Sequence, residues 1–406
     1  MAQLVAGRRV GNGLALPILF AASICHLLND ATQSLFTASY PLFKSGFDLN
    51  FAQIGALTLA YQVSASILQP IIGLFTDRHP APYSLPVGMG VSAAALVTVA
   101  YAPSYLAVVA GAALLGVGSS IFHPESSRLA RLASGGAHGL AQSIFQVGGN
   151  IGSSIGPLIV AFVILPGGRG RLAWFAVLAL CGAAISGRVG GWYARALDAH
   201  PRSRGPKPRD GGRAGQKVRW PMAILAALIF SKYFYIASFT SYYVFYLEQR
   251  FQATQWTAQI CLFVFLGAVA IGTIIGGPVG DRIGRKRVIW GSILGVLPFT
   301  LILPYVSMPV TIALSAVIGL ILASAFPAIV VYAQELLPHR IGMVSGLFFG
   351  LAFGMGGLGA ALLGVLADAT SVDFVYKVCA FLPIIGILAA FLPETRTRAM
   401  AVASGR

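Results

Sequence analysis

The chain has 406 residues, 57% of them hydrophobic and only 10% charged, with a mean hydropathy of +0.79. A soluble domain of that balance would leave large apolar areas in water, so a soluble enzyme or binding module is excluded. The formal net charge of +16 invites a nucleic-acid partner, but its distribution along the chain argues for a membrane instead.

Apolar segments of about 20 residues, the length that crosses a hydrocarbon core of ~30 Å, recur along the chain. We read twelve of them, over 15–40, 51–75, 83–102, 104–130, 138–165, 172–194, 221–247, 255–279, 287–306, 309–336, 341–367 and 374–392. This predicts an all-α membrane protein with twelve transmembrane helices. The first segment follows Arg8 and Arg9 as a secretory leader would, yet its apolar run continues past Asp30 to Phe43 without a convincing cleavage site. With both ends cytoplasmic, the inner tails, loops and adjoining span ends hold 21 of the 28 Lys and Arg, and the outer loops hold five (Lys44, Arg169, Arg171, Arg250, Lys377). That bias sets the orientation and leaves no basic face for nucleic acid. Cys25, Cys181, Cys261 and Cys379 lie far apart within spans and read as small apolar residues, not as metal ligands or a disulfide framework.

In the first span His26, Asp30 and Gln33 recur at i, i+4 and i+7, with Asn29 beside them. They form one polar stripe about two turns long, which either lines a cavity or closes an interhelical hydrogen-bond cluster. The fourth span runs into GVGSSIFHPESSRLAR, Gly116 to Arg131, and carries His123, Pro124 and Glu125 where lipid-facing chemistry is costly. Glu125 can pair with Arg128 at i, i+3. His123 points about 200° away from Glu125 on a helix, so the two need partners on different faces. The fifth span repeats a polar stripe with Gln142, Gln146, Asn150 and Ser153, among glycines that favour close packing.

Hydrophobicity stops between Arg195 and Arg219, where eight basic residues, Pro and Gly predict a flexible cytoplasmic linker. The expected organisation is a six-helix bundle over 1–194, a linker over 195–219 and a second six-helix bundle over 220–406. Span seven holds Lys232 near mid-depth, on a face with Tyr235, Phe239 and Tyr243. A lysine there reads as a cation awaiting an anion, either Asp30 across the cavity or an anionic substrate. The halves also repeat. Gly73 and Asp77 recur 204 residues later as Gly277 and Asp281, and Gly116, Pro124 and Gly139 recur 203 later as Gly319, Pro327 and Gly342. A parallel duplication of this kind places a site near the midplane between the halves.

The loop GPVGDRIGRKR, Gly277 to Arg287, resembles the signature loop of the major facilitator superfamily, and GLFTDRHPAPYS keeps only its first part through Gly73, Asp77 and Arg78. The longer stretches SICHLLNDATQSL, SSIFHPESSRLARLASGGAHGLAQSIFQVGGNIGSS, IFSKYFYIAS and YAQELLPHRIGMVSGLFFGLAFGMGGLG resemble a drug-exporting branch of that superfamily over nearly the whole chain. The resemblance implies a proton-coupled secondary exporter of the bacterial inner membrane that acts on small phosphonate-type drugs. It also implies gating roles for Asp77, Arg78, Asp281 and Arg282. The substrate site is expected to draw on His26, Asn29, Asp30, Gln33, His123, Gln146, Lys232, Tyr235 and Tyr243. Proton coupling is expected to draw on Asp30, Glu125 and Arg128. The expected partners are the anionic drug, protons and lipid, with no nucleic acid, no cofactor, no metal and a monomeric state. No Gly-x-x-x-x-Gly-Lys-Ser/Thr loop occurs, so transport is expected to run on gradients. A membrane-embedded enzyme using His123 and Glu125 is the competing reading, and no nucleophile or cofactor spacing accompanies them.

Overall fold

The computed structural model describes residues 14–199, 212–337 and 340–394, with the side chains of 198, 199, 212–217, 277, 278 and 281 left aside. Arg8, Arg9, residues 200–211 of the expected linker, the tail beyond 394 and the Asp281 side chain therefore lie outside the description. All regular structure among the described residues is helical. In chain order the segments are α1 (Leu16–Ala38), α2 (Phe51–Arg78), α3 (Ser84–Ala100), α4 (Tyr105–Leu132), α5 (His138–Gly167), α6 (Ala176–Ala199) and α7 (Gly212–Phe251). They continue with α8 (Gln255–Ile283), α9 (Arg285–Tyr305), α10 (Met308–Leu336), α11 (Ile341–Ala369) and α12 (Val372–Phe391). Among the described residues ten helices are long and apolar enough to cross a membrane, against the twelve expected; α1 is not among the ten, and α3 is a shorter apolar helix. Helix reaches into both ends of the 195–219 segment, since α6 runs to Ala199 and α7 starts at Gly212.

Two prolines sit inside unbroken helix: α4 passes through Pro124 and α2 through Pro70. Neighbouring helices and serines at membrane depth offer partners for the backbone groups that a proline frees. The first-half helices associate as α1 with α5 and α6, α2 with α4, and α3 with α4 and α6. Between the halves the dominant contacts are α2 with α11 and α5 with α8. Those two pairs exchange under the 203-to-204-residue repeat, so the halves meet about a pseudo-two-fold axis.

Close approach depends on glycine at these seams. A Cβ on Gly152 of α5 would lie 2.1 Å from the Leu27 carbonyl of α1, and one on Gly346 of α11 would lie 2.6 Å from the Gln69 carbonyl of α2. Without a hydrophobic drive between helices in lipid, such backbone contact supplies the packing energy. The antiparallel α2–α11 pair is also pinned at both ends. At one end, beside the start of α1 and the end of α4 (the linker end), the backbone N–H groups of Gly342 and Met343 donate to Asp77 at 3.3 and 2.9 Å. At the far end, those of Phe51 and Ala52 donate to Asp368 at 3.1 and 2.8 Å. Each carboxylate sits at the positive end of the other helix's dipole.

Gly152→Val should part α1 from α5 and lower the melting temperature of the detergent-solubilised protein, at a cost of ~1–3 kcal/mol. Gly90→Ala, whose Cβ would meet nothing within 4 Å, is the neutral control. Equal melting of the two variants would show that the α1–α5 seam tolerates a side chain.

Candidate functional site

A cavity of about 200 Å³ lies between the halves. Its first-half wall is polar, with His26, Asp30 and Gln33 from α1, His123 from α4 and Gln146 and Asn150 from α5. Its second-half wall is Lys232 and Tyr233 from α7 with aromatic rings from α8, α10 and α11, among them Phe265, Phe326 and Phe349. The i, i+4, i+7 stripe on α1 thus faces this space, whereas Asn29 stands behind it and donates to Asp30 Oδ1 at 3.0 Å. Gln33 also approaches Asp30 Oδ1, at 3.5 Å, and accepts from the Tyr61 hydroxyl.

Asp30 lies between two imidazoles. His26 Nε2 is 3.2 Å from its Oδ2 and His123 Nε2 is 3.5 Å from its Oδ1. Both rings are held from behind by their other nitrogen. His26 Nδ1 is 2.8 Å from the Phe145 carbonyl, and His123 Nδ1 is 3.0 Å from the Ser119 carbonyl and 3.1 Å from its hydroxyl. The rings of Phe122, Phe145, Phe349 and Phe353 pack around them. Ligand-type atoms of His26, Asp30 and His123 all lie within 4.8 Å of one another. Sequence spacing gave no hint of this grouping, because 97 residues separate the two histidines.

Lys232 is 3% exposed. Its ammonium sits 5.5 Å from the Tyr233 ring centroid and 5.6 Å from that of Phe326, and its hydrogen-bond partner is the Ala323 carbonyl at 3.5 Å. Among the described residues it has no ion-pair partner within 4 Å, so the expected apo pairing with Asp30 is not formed; the histidines hold Asp30 instead. Tyr235 and Tyr243, expected beside the substrate, do not line the cavity. They stack with Phe239 and Tyr376 in the second-half core. The lining positions of α7 run 232, 233, 236, 237 and 240, a stripe rotated from the predicted one by about one residue, or ~100°. Tyr61, Tyr233 and the α10 and α11 phenylalanines escaped the sequence reading because an aromatic in an apolar span carries no signal of which way it faces.

Behind the cavity, α4 sends its other face toward the linker end. Arg128 Nη1 is 3.2 Å from Glu125 Oε1, and Arg128 Nη2 donates to Asp77 Oδ1 at 2.5 Å. Arg128 also donates to the Thr76 and Gly73 carbonyls at 2.5 and 3.3 Å, and the Tyr193 hydroxyl donates to Glu125 Oε2 at 3.3 Å. One guanidinium therefore ties a fully buried carboxylate to the carboxylate that caps α11. Arg131 Nη1 donates across the halves to Gln334 at 2.8 Å, and Ser127 to Ser345 at 3.3 Å. Arg78 and Arg282 are exposed at the ends of α2 and α8.

Helices of membrane-crossing length, two repeated halves and a small polar cavity between them define a solute transporter. The model of the Major Facilitator Superfamily matches residues 22–258 and 225–406, and the chain belongs to that family. It is 59% identical over 384 residues, 93% of each chain, to the fosmidomycin resistance protein of Escherichia coli (strain K12). It is 40% identical, again over 93% of each, to the uncharacterized MFS-type transporter YfnC of Bacillus subtilis (strain 168). Among solved structures it is similar in fold to the E. coli fucose:proton symporter FucP, with TM-score 0.67, 16% identity and coverage of 94% of this chain and 99% of that one. The human organic anion transporter MFSD10 gives 0.68 and 16%, covering 92% and 98%. The chain is thus a multi-pass membrane transporter and not an enzyme.

Asp77→Asn should weaken the tie between α2 and the start of α11 by ~1.5–3 kcal/mol, the worth of hydrogen bonds to a charged group. In a Ser127→Cys background it should speed labelling by a water-soluble thiol reagent. An unchanged labelling rate would mean that Asp77 does not hold the halves together.

Proposed function

We propose that the chain exports fosmidomycin or a closely related phosphonate from the cytoplasm, by alternating access with proton antiport. The reading supposes that α1–α12 all cross the bacterial inner membrane as two six-helix bundles, with both termini and the linker end cytoplasmic, as the Lys and Arg bias favours. Support comes from the relative at 59% identity and from the cavity itself. The observation that carries the reading is Lys232, a buried cation with aromatic neighbours and no anion within 4 Å among the described residues. A buried charge left alone costs several kcal/mol, and a phosphonate in the cavity would relieve that cost. His26, Asp30, Gln33, His123 and Gln146 would position the opposite end of the drug, which carries an N-formyl hydroxamate, with Asn29 holding Asp30 from behind. Export of another small organic anion through the same cavity is the second reading, favoured by the same unpaired lysine.

An inside-negative potential itself drives an anion outward, by ~2.3 kcal/mol per charge per 100 mV. Proton drive therefore has to be separated from potential drive. We assign coupling to Glu125 with Arg128, because Arg128 joins that carboxylate to the Asp77 latch and both change partners if the linker end opens. Asp30 is the carboxylate that lines the cavity itself.

Lys232→Gln should leave the protein in the membrane and weaken phosphonate binding by ~2 kcal/mol or more, about 30-fold, with loss of drug resistance in expressing cells. Full resistance in that variant would remove the lysine from the site. In proteoliposomes with the pH gradient and the potential imposed separately, Glu125→Gln should keep drug exchange yet lose accumulation driven by the pH gradient alone. Retained accumulation would place the coupling elsewhere.

A further inference from the structure

The two imidazoles facing Asp30 pose a problem of hydrogen-atom placement. A carbonyl oxygen can only accept, so the 2.8 Å contact with Phe145 puts the His26 ring hydrogen on Nδ1. The shortest contact of His123 Nδ1, 3.0 Å to the Ser119 carbonyl, asks for the same tautomer. Two bare Nε2 lone pairs then point at one carboxylate, an arrangement that repels unless something positive stands among the three. Protons on both Nε2 atoms would draw each contact into the ~2.7–2.9 Å range of charge-assisted hydrogen bonds. The contacts are instead 3.2 and 3.5 Å. Tetrahedral ligands at ~2.0–2.1 Å from one metal ion stand about 3.3 Å from each other; each Nε2 lies at about that distance from its own Asp30 oxygen, and one ligand atom from each of the three residues lies within 4.8 Å of the other two.

The surroundings fit as well. Histidines that bind a metal through Nε2 normally donate Nδ1–H to a backbone carbonyl, which fixes ring orientation and raises ligand basicity. Both histidines are so held. Asp30 is steadied by Asn29 and Gln33, and the phenylalanine shell keeps the local dielectric low. Two imidazoles and one carboxylate, with further positions open, suit divalent iron, cobalt, nickel or zinc in preference to magnesium or calcium. The three residues border the same cavity as Lys232.

We propose that His26, Asp30 and His123 hold a divalent transition-metal ion whose open coordination positions face the cavity, so that the cargo crosses as a metal chelate. A bidentate oxygen chelator occupies the open positions while an anionic group at its other end meets Lys232. A hydroxamate is such a chelator: it loses its N–OH proton and binds through two oxygens, with no change of oxidation state. The chelated cargo rests on the phosphonate reading given above, whereas the ion site does not.

Co²⁺ added to the full-length, chelator-stripped protein in detergent is the probe, followed by its visible absorption. We expect one Co²⁺ per chain, displaced by Zn²⁺ and retained in Lys232→Gln. His123→Gln and Asp30→Asn, which keep side-chain size, should weaken it ~100-fold or more, beyond the ~10–100-fold typical of losing an outer partner. Their melting temperatures without metal separate a lost ligand from a lost fold. Acetohydroxamate should shift the Co²⁺ spectrum of the parent protein by entering the open positions. Co²⁺ binding no tighter than in well-folded His123→Gln would overturn the ion site and leave the cluster to protons. A spectrum blind to acetohydroxamate, or drug export in proteoliposomes undiminished by metal depletion, would overturn the chelate. Failure to export fosmidomycin, with the Co²⁺ and acetohydroxamate results as expected, would remove that drug and keep the site.

Discussion

An ionisable side chain at membrane depth has no water to solvate it, so the protein must provide its partner or pay several kcal/mol for the lack. Three solutions to that constraint occur within one molecule. Asp30 is wedged between His26 and His123. Glu125 shares Arg128 with Asp77. Lys232 has aromatic faces and one distant carbonyl but no counter-ion among the described residues. The second solution is complete within the fold, the first calls for a positive species among its three residues, and the third lacks an anion within 4 Å among the described residues.

The two halves serve this arrangement differently although five positions recur between them at an offset of 203 or 204 residues. Their shared frame is the symmetric pair of seams, α2 with α11 and α5 with α8. Around the cavity, the first half supplies the histidines and Asp30, and the second supplies rings and Lys232. At the positions 203 residues after His123, Glu125 and Arg128 stand Phe326, Ala328 and Val331. Phe326 packs edge-on against Phe349 and lies under the Lys232 ammonium, so the counterpart of a titratable residue has become a cavity wall.

Helix α4 joins the cavity to the latch at the linker end. His123 and Glu125 are two residues apart and project to opposite sides, one onto Asp30 and the other onto Arg128. A rigid rotation of α4 cannot disturb one contact without disturbing the other. Because Asp77 also caps α11, the state of the cavity and the closure of the linker end share one mechanical element. The matching Asp368 cap at the far end gives the α2–α11 pair a second fixed point, about which such a rotation can be resisted or released.

Segment length and hydropathy made the helical membrane architecture and the order of the helices legible from the residues alone, since a bilayer of fixed thickness demands spans of fixed length; the family was legible through the resemblance carried by the Gly277–Arg287 loop and the longer stretches. The α1 stripe was legible too, because i, i+4, i+7 spacing puts His26, Asp30 and Gln33 on one face wherever that face turns. Periodicity names a face but not its neighbour, and the rest depended on that neighbour. Asp30 was expected opposite Lys232 and lies between two histidines. Arg128 was expected to serve Glu125 and serves Asp77 as well. Tyr235 and Tyr243 were expected at the cavity and pack in the core, since a rotation of α7 by one residue swings each side chain by ~100°. Such rotations are set by which helices touch, and contact between residues a hundred or more apart in the chain belongs to the tertiary structure alone.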